Sequence, residues 1–226
     1  MTIRRPIVIS AIIIAAMAGL SLAAASALPA SVPLRFNAHG VPTSYGSPYP
    51  PLALMPIVAV ALSAIFAALA RSEPRRADLA GSMLAYGTRW IGALALVASV
   101  HVWIVYTLVT SIRGTPPVDP TRLVFALVGA FVAIAGSQLA KVRPNFMIGI
   151  RTPWTLSSDQ VWERTHRLGR WPATLSGLVI LIAAIAAPSP SILLPLTLTV
   201  VIVVGAGLVL LSYVLWRGRG ERPMGA

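Results

Sequence analysis

The sequence predicts an all-α integral membrane protein with six transmembrane helices, both termini in the cytoplasm and a short amphipathic helix in the fourth loop. Three observations carry this expectation. The 226 residues are 57% apolar and only 11% charged, and mean hydropathy is +0.81, whereas a soluble domain carries roughly 25% charged residues. Six stretches hold no Asp, Glu, Lys or Arg and are each long enough to cross a hydrocarbon core as a helix. Most of the cations, finally, are concentrated in alternate connecting segments. A soluble globule and a disordered chain are both excluded, because neither keeps this much apolar surface in water.

In order, the spans are placed at 7–27, 52–70, 90–110, 123–140, 171–187 and 192–216. The first follows Arg4 and Arg5 and ends on Ala25, Ser26 and Ala27, as a secretory signal peptide does. Its apolar run exceeds the roughly 7 to 15 residues of a signal core, so a retained helix is expected. It carries Ala15, Gly19, Ala23 and Ala27 at four-residue spacing, a stripe of small residues that lets a second helix approach closely; Gly129, Ala133 and Ser137 repeat the device in the fourth span. The fifth begins beside Pro172 and is short, but the turn at Pro188, Ser189 and Pro190 joins it to the sixth as a hairpin. The chain therefore divides into an N-terminal hairpin (1–70), helices three and four (71–140) and a connector with helices five and six (141–226).

With the N-terminus inside, the exterior loops hold only Arg35, Arg113 and Arg122 of the 18 Lys and Arg residues. The rest fall on the cytoplasmic side, as the positive-inside rule requires. A net charge of +12 then reads as topology and contact with anionic lipid heads rather than direct nucleic-acid binding. The expected location is a bacterial inner membrane, with the lipid bilayer as the first partner.

Two loops are more than tethers. The exterior one, 28–51, has prolines at 29, 33, 42, 48, 50 and 51, so a folded, turn-rich cap is expected. Phe36, Tyr45 and Tyr49 suit an aromatic anchor at the interface; the alternative is a ligand-facing surface that includes Pro33, Phe36, Asn37, His39 and Gly40. Asn37 and His39 lack a nearby carboxylate, so no metal site is assigned. The cytoplasmic loop, 141–170, is richer. Ser157 followed by Gln160 has the capping-box pattern, which predicts a helix from there to Gly169. Its Val161, Trp162, Thr165 and Leu168 would share one face and Glu163, Arg164, Arg167 and Arg170 the other, so it should lie flat in the inner interface. Upstream, Pro144, Gly149 and Pro153 predict a turn that tucks Phe146, Met147 and Ile148 against the bundle.

Catalytic chemistry has little to work with. There is no cysteine, and the six carboxylates, Glu73, Asp78, Asp119, Asp159, Glu163 and Glu221, all lie in loops or tails. Glu163 and His166 stand at i, i+3, but a dinuclear centre needs that pair on two helices and further carboxylates. Neither an enzyme nor a cofactor is expected. Within the spans, His101 reads as a hydrogen-bonded structural residue or as a proton or ligand site, and Gln138 as interhelical glue. A small permease or transporter subunit is the rival class, with His101 as its one mid-membrane ionisable group.

The run Arg143, Pro144, Asn145, Phe146, continuing through Gly149, Ile150, Arg151, Thr152, Pro153, Trp154, Thr155, Leu156 and Ser157 to Val161, Trp162, Thr165, His166 and Arg167, resembles the SdpI family of integral membrane immunity proteins. Leu28, Pro29, Val32, Pro33, Phe36, Asn37, Gly40, Tyr45 and Gly46 resemble the domain of unknown function that precedes it in many members. The chain departs in having Arg35 where His is common and Arg170 where a second Gly often follows. The resemblance implies protection against a membrane-active peptide toxin, with signalling through capture of a cytoplasmic transcriptional repressor. It marks Asn145, Gly149, Arg151, Thr152, Pro153, Trp154, Thr155, Trp162, Thr165 and His166 as the motif positions.

Overall fold

The structure, a computed structural model, describes residues 3–36, 41–72, 82–114 and 119–218. In chain order the elements are α1 (Arg4–Ala27), β1 (Val32–Phe36), β2 (Pro42–Gly46), α2 (Tyr49–Ser72), α3 (Met83–Ser111) and α4 (Thr121–Ser137) with a 3-10 turn (Leu139–Lys141). They continue with α5 (Pro153–Leu156), α6 (Asp159–Ala186), a second 3-10 turn (Pro190–Ile192) and α7 (Leu193–Arg217). The helices α1, α2, α3, α4 with its 3-10 turn, α6 and α7 are the six that are long and apolar enough to cross a membrane. The chain is thus a multi-pass helical membrane protein. The described residues form two compact units, one from Arg4–Phe66 and Ile91–Pro120, the other from Met1–Ile3, Ala67–Trp90 and Thr121–Ala226.

In the first unit, the loop expected to be a folded, turn-rich cap is built on an antiparallel hairpin. Val32 pairs with Gly46 and Pro33 with Tyr45, and the register shifts between Pro33 and Arg35 and again between Arg35 and Phe36. Prolines lack the N–H that a ladder needs, which confines them to edges and irregularities of this kind. Two strands alone are marginal in water; here fully buried Val32 packs with Ala24 of α1, Leu52 of α2 and Val105 and Leu108 of α3. Tyr45 and Tyr49 are exposed, as an interfacial anchor would be, whereas Asn37, His39 and Gly40 and the Phe36 side chain lie outside what is described.

His101 of α3 is completely buried in this unit. Its Nε2 lies 3.1 Å from the Met17 carbonyl and 3.1 Å from Ser21 Oγ, both on α1. Ser21 donates its own proton to the Leu52 carbonyl at 2.9 Å, so the hydrogen between these groups resides on Nε2. The ring Nδ1 is buried without a partner among the described residues. The small-residue stripe expected to pack α1 does not do so within this unit: Ala15, Gly19, Ala23 and Ala27 are exposed, and α1 instead buries Ser10, Met17 and Ala24, seven residues apart. His101→Ala should therefore lower stability in detergent by about 1 kcal/mol, the usual worth of an interhelical hydrogen bond in a membrane protein. Thermal unfolding reads this out, and an unchanged midpoint would mean that the node does not tie α3 to α1.

In the second unit, α4 and α6 form the most extensive helix pair, and glycine makes it. A Cβ on Gly129 would sit 2.5 Å from the Leu181 backbone nitrogen, one on Gly136 2.6 Å from the Ala173 carbonyl carbon, and one on Gly177 inside the Ala133 backbone. The backbones touch, so dispersion contacts replace the hydrophobic drive that lipid cannot supply. The stripe in α4 is thus Gly129, Ala133 and Gly136; Ser137, expected in it, is exposed. Arg122, at the start of α4, donates to the carbonyls of Ala184 and Ala187 at 3.2 and 2.7 Å, serving acceptors that the end of α6 leaves open.

The fifth span differs from expectation. No boundary occurs at Gly169: the segment expected to lie flat is the first part of α6, which runs unbroken through Pro172 to Ala186. Its N-cap is Ser158, whose hydroxyl accepts from Val161 N–H at 3.3 Å, not Ser157. Leu168, placed on the buried face, is exposed, and Gly169 and His166 are buried instead. Gly177→Val should cost on the order of 1–3 kcal/mol or abolish folding. Gly205→Ala, where an added methyl meets nothing within 4 Å, should leave the melting temperature unchanged.

Candidate functional site

The connector between α4 and α6 carries the chemistry-bearing residues, and its geometry follows from a simple demand. A chain running as irregular backbone from residue 142 to 152 must have its buried N–H and C=O groups satisfied by side chains. Asn145, fully buried, supplies the first set: its Oδ1 accepts from the N–H groups of Met147 and Ile148, both at 2.8 Å, and its Nδ2 donates to the Arg143 carbonyl at 2.7 Å. This Asx-type turn reverses the chain. Ile148 is buried by it, but Phe146, expected to tuck in beside it, is exposed. The Arg151 guanidinium donates to the Phe146 carbonyl at 2.7 Å across the same turn.

Gly149 comes next, at φ +114°. Both its backbone angle and its space exclude a side chain, since a Cβ would overlap the His166 imidazole and lie 3.0 Å from the Trp162 ring. Those two rings stack, with centroids 4.1 Å apart and planes within 17°. Trp162 Nε1 donates to the Val142 carbonyl at 2.8 Å, His166 Nδ1 donates to the Trp162 carbonyl at 2.8 Å, and Ile150 N–H donates to His166 Nε2 at 2.9 Å. Two aromatic residues, one turn apart on α6, therefore hold both ends of the turn.

Thr152 and Thr155 close the motif. They form a reciprocal cap on α5, with Thr152 N–H donating to Thr155 Oγ1 at 2.9 Å and Thr155 N–H to Thr152 Oγ1 at 3.2 Å. Pro153 takes the first helical position, where its missing N–H costs nothing. Thr155 also donates to the Ile150 carbonyl at 2.7 Å, and the Thr152 hydroxyl lies 3.0 Å from that of Ser212 on α7. Trp154 meets Tyr213 edge-on, centroids 5.1 Å apart. Thr165 is fully buried on α6, and its hydroxyl has no partner among the described residues. Gln138, just before the turn, reaches Thr88 Oγ1 at 3.4 Å.

Asn145, Gly149, Arg151, Thr152, Trp154, Thr155, Trp162 and His166 thus share one network of hydrogen bonds and ring contacts, with Pro153 opening α5 and Thr165 buried on α6 outside that network. Sequence reasoning missed the network's partners: Val142 and Ile150 act through backbone groups, which no side-chain pattern reveals, and Ser212 sits within an otherwise apolar helix. Ser212 donates to the Val209 carbonyl of its own helix at 2.6 Å, so nothing in the sequence called for a partner on a neighbouring element. The capping box was legible at Thr152 and Thr155, three apart, rather than at Ser157. Among the described residues no three His, Asp or Glu side chains stand close enough to hold a metal ion.

This is a multi-pass helical membrane protein whose polar chemistry is concentrated in a folded connector, and one match to a known family covers that connector. Residues 141–215 match the SdpI/YfhL protein family, and residues 12–60 match a domain of unknown function (DUF1648). Over 55 residues the chain is 34% identical to the immunity protein SdpI of Bacillus subtilis (strain 168), a stretch that is 24% of this chain and 27% of that protein. The matched stretch therefore spans about a quarter of the curated relative. No solved structure matches.

His166 lies in the charged opening turns of α6, before the apolar stretch that starts at Trp171. Burial, reinforced by the positive charge of Arg89, pulls its pKa from 6.5 down to about 4 against the opposing hydrogen bond to Trp162. The neutral form is the one that accepts from Ile150. A depressed histidine gives stability that is complete above the unfolded value and is lost as pH falls from 6.5 towards 4, with a slope of at most about 1.4 kcal/mol per pH unit. Unfolding midpoints of the wild type should fall across this window, and His166→Gln should lack that component; parallel pH profiles would separate His166 from the effect.

Proposed function

We propose that this chain is an SdpI-like immunity protein of the bacterial inner membrane, which binds a membrane-active peptide toxin through the 28–51 hairpin and the helices around it. The observation that carries the reading is the coincidence of the SdpI/YfhL match with the interlocked patch from Val142 to Tyr213. The patch uses its polar groups to hold a backbone in shape, which is the character of a presented surface rather than of a reaction centre. The Arg and Lys distribution supports placing 141–170 on the cytoplasmic side. There Arg151 and the partly exposed Trp154 are available to a repressor partner, and bound toxin would act by favouring one arrangement of the connector over another.

Cells with and without the gene should differ in survival against at least one of a panel of membrane-active peptides; equal survival throughout removes the immunity reading. Arg151→Ala and Trp154→Ala touch one hydrogen bond and one ring contact respectively. At unchanged membrane abundance each should weaken protection or the signalling output several-fold, and wild-type behaviour in both would reduce the connector to a scaffold.

A further inference from the structure

The same connector carries a second feature, built from charged side chains that the hydrogen-bonded patch leaves unused. Where α4 ends and the opening turns of α6 pass it, a cleft of about 440 Å³ is lined by Lys141, Arg143, Glu163, Arg167 and Arg170 together with Val142 and Pro144. Four cations thus face one carboxylate, and among the described residues none of the four is in an ion pair. Glu163 and Arg167, spaced for a helical ion pair, do not form one. Arg170 packs its guanidinium over the Trp171 ring at 4.5 Å, and its Nε is buried without a partner among the described residues. Like charges gathered around a cavity, with an unspent buried donor, are an arrangement that an anion completes.

The position of the cleft identifies the anion. Lys141 ends one membrane span and Arg170 stands immediately before the apolar stretch of another, so the cations lie at headgroup depth whichever way the chain is oriented. From Arg167 along α6, Trp171, Leu178, Ile182 and Ile185 follow at helical spacing and are 60%, 40%, 61% and 72% exposed, an apolar track for acyl chains with an aromatic ring at the interface. We propose that this cleft binds the phosphate of an anionic phospholipid, Arg143 and Arg167 supplying charge-assisted hydrogen bonds and Lys141 and Arg170 the surrounding field. The inference is independent of any toxin and stands or falls apart from the immunity reading.

Native mass spectrometry of the full chain in mild detergent, titrated with phosphatidylglycerol or phosphatidylcholine, tests this. Phosphatidylglycerol should be retained with clear preference, and Arg143→Gln combined with Arg167→Gln should weaken retention at least about tenfold, since each substitution removes a hydrogen bond from a charged group. Arg4→Gln with Arg5→Gln, an equal loss of charge away from the cleft, should leave it unchanged. Both substituted arginines are exposed, and a wild-type melting temperature will confirm folding. Equal retention of the two lipids, or equal loss in the two double variants, overturns the proposal. So does saturation by inorganic phosphate without lipid preference, or binding confined to an acidic peptide.

Discussion

The imidazole of His166 joins the irregular connector to the helix that carries it. One nitrogen is tied to its own helix through the Trp162 carbonyl, the other receives the Ile150 N–H of the irregular connector, and the ring stacks on Trp162, whose indole N–H reaches back to Val142. Remove the ring and a buried backbone donor loses its acceptor, at the full cost of its desolvation. Gly149 exists in its left-handed conformation because this ring occupies the space a side chain would need. The shape of the connector is therefore conditional on a neutral histidine, and burial keeps the ring neutral below the ordinary imidazole range.

That dependence reaches into the membrane because α6 is unbroken. The helix that presents Trp162, Thr165 and His166 to the connector is the one whose Gly177 lies against the α4 backbone, and whose last carbonyls are served by Arg122. Helices in backbone contact shift as rigid bodies, since there are no intervening side chains to absorb a displacement. A change in the packing of α4 on α6 would be felt at Ile150 and Thr152. The two hydroxyls of Thr152 and Ser212 extend the link to α7.

Six spans were legible because hydrocarbon imposes one rule on every residue within it: apolar side chains outside, backbone hydrogen bonds closed within the helix. Most ends moved by a few residues; the third span starts at Met83 rather than Trp90, because Tyr86 and Trp90 continue a buried helical face, and the fifth span starts at Asp159 rather than Trp171. The one misplaced boundary, at Gly169, came from treating a glycine and a charged turn as a stop. In the structure that glycine is a close-approach position inside a continuous helix, beside Leu208 and Ile150. The hairpin at 32–46 escaped because prolines at 33 and 42 read as strand breakers, whereas the strands tolerate them at irregular pairings.

Composition and periodicity determined the membrane class, the number of spans and the segment in which unusual residues cluster. They could not determine which of those residues meet, because Asn145, Gly149 and His166 come together through backbone carbonyls and amides that every sequence possesses, and Ser212 through a hydroxyl contact with Thr152 that is distant in sequence. Nor could they tell the Gly129 and Gly136 contacts from the exposed Ala15 and Gly19 stripe of α1, since small residues permit close approach without requiring it. Only tertiary structure, in which a particular neighbour is present or absent at van der Waals distance, decides between permission and use.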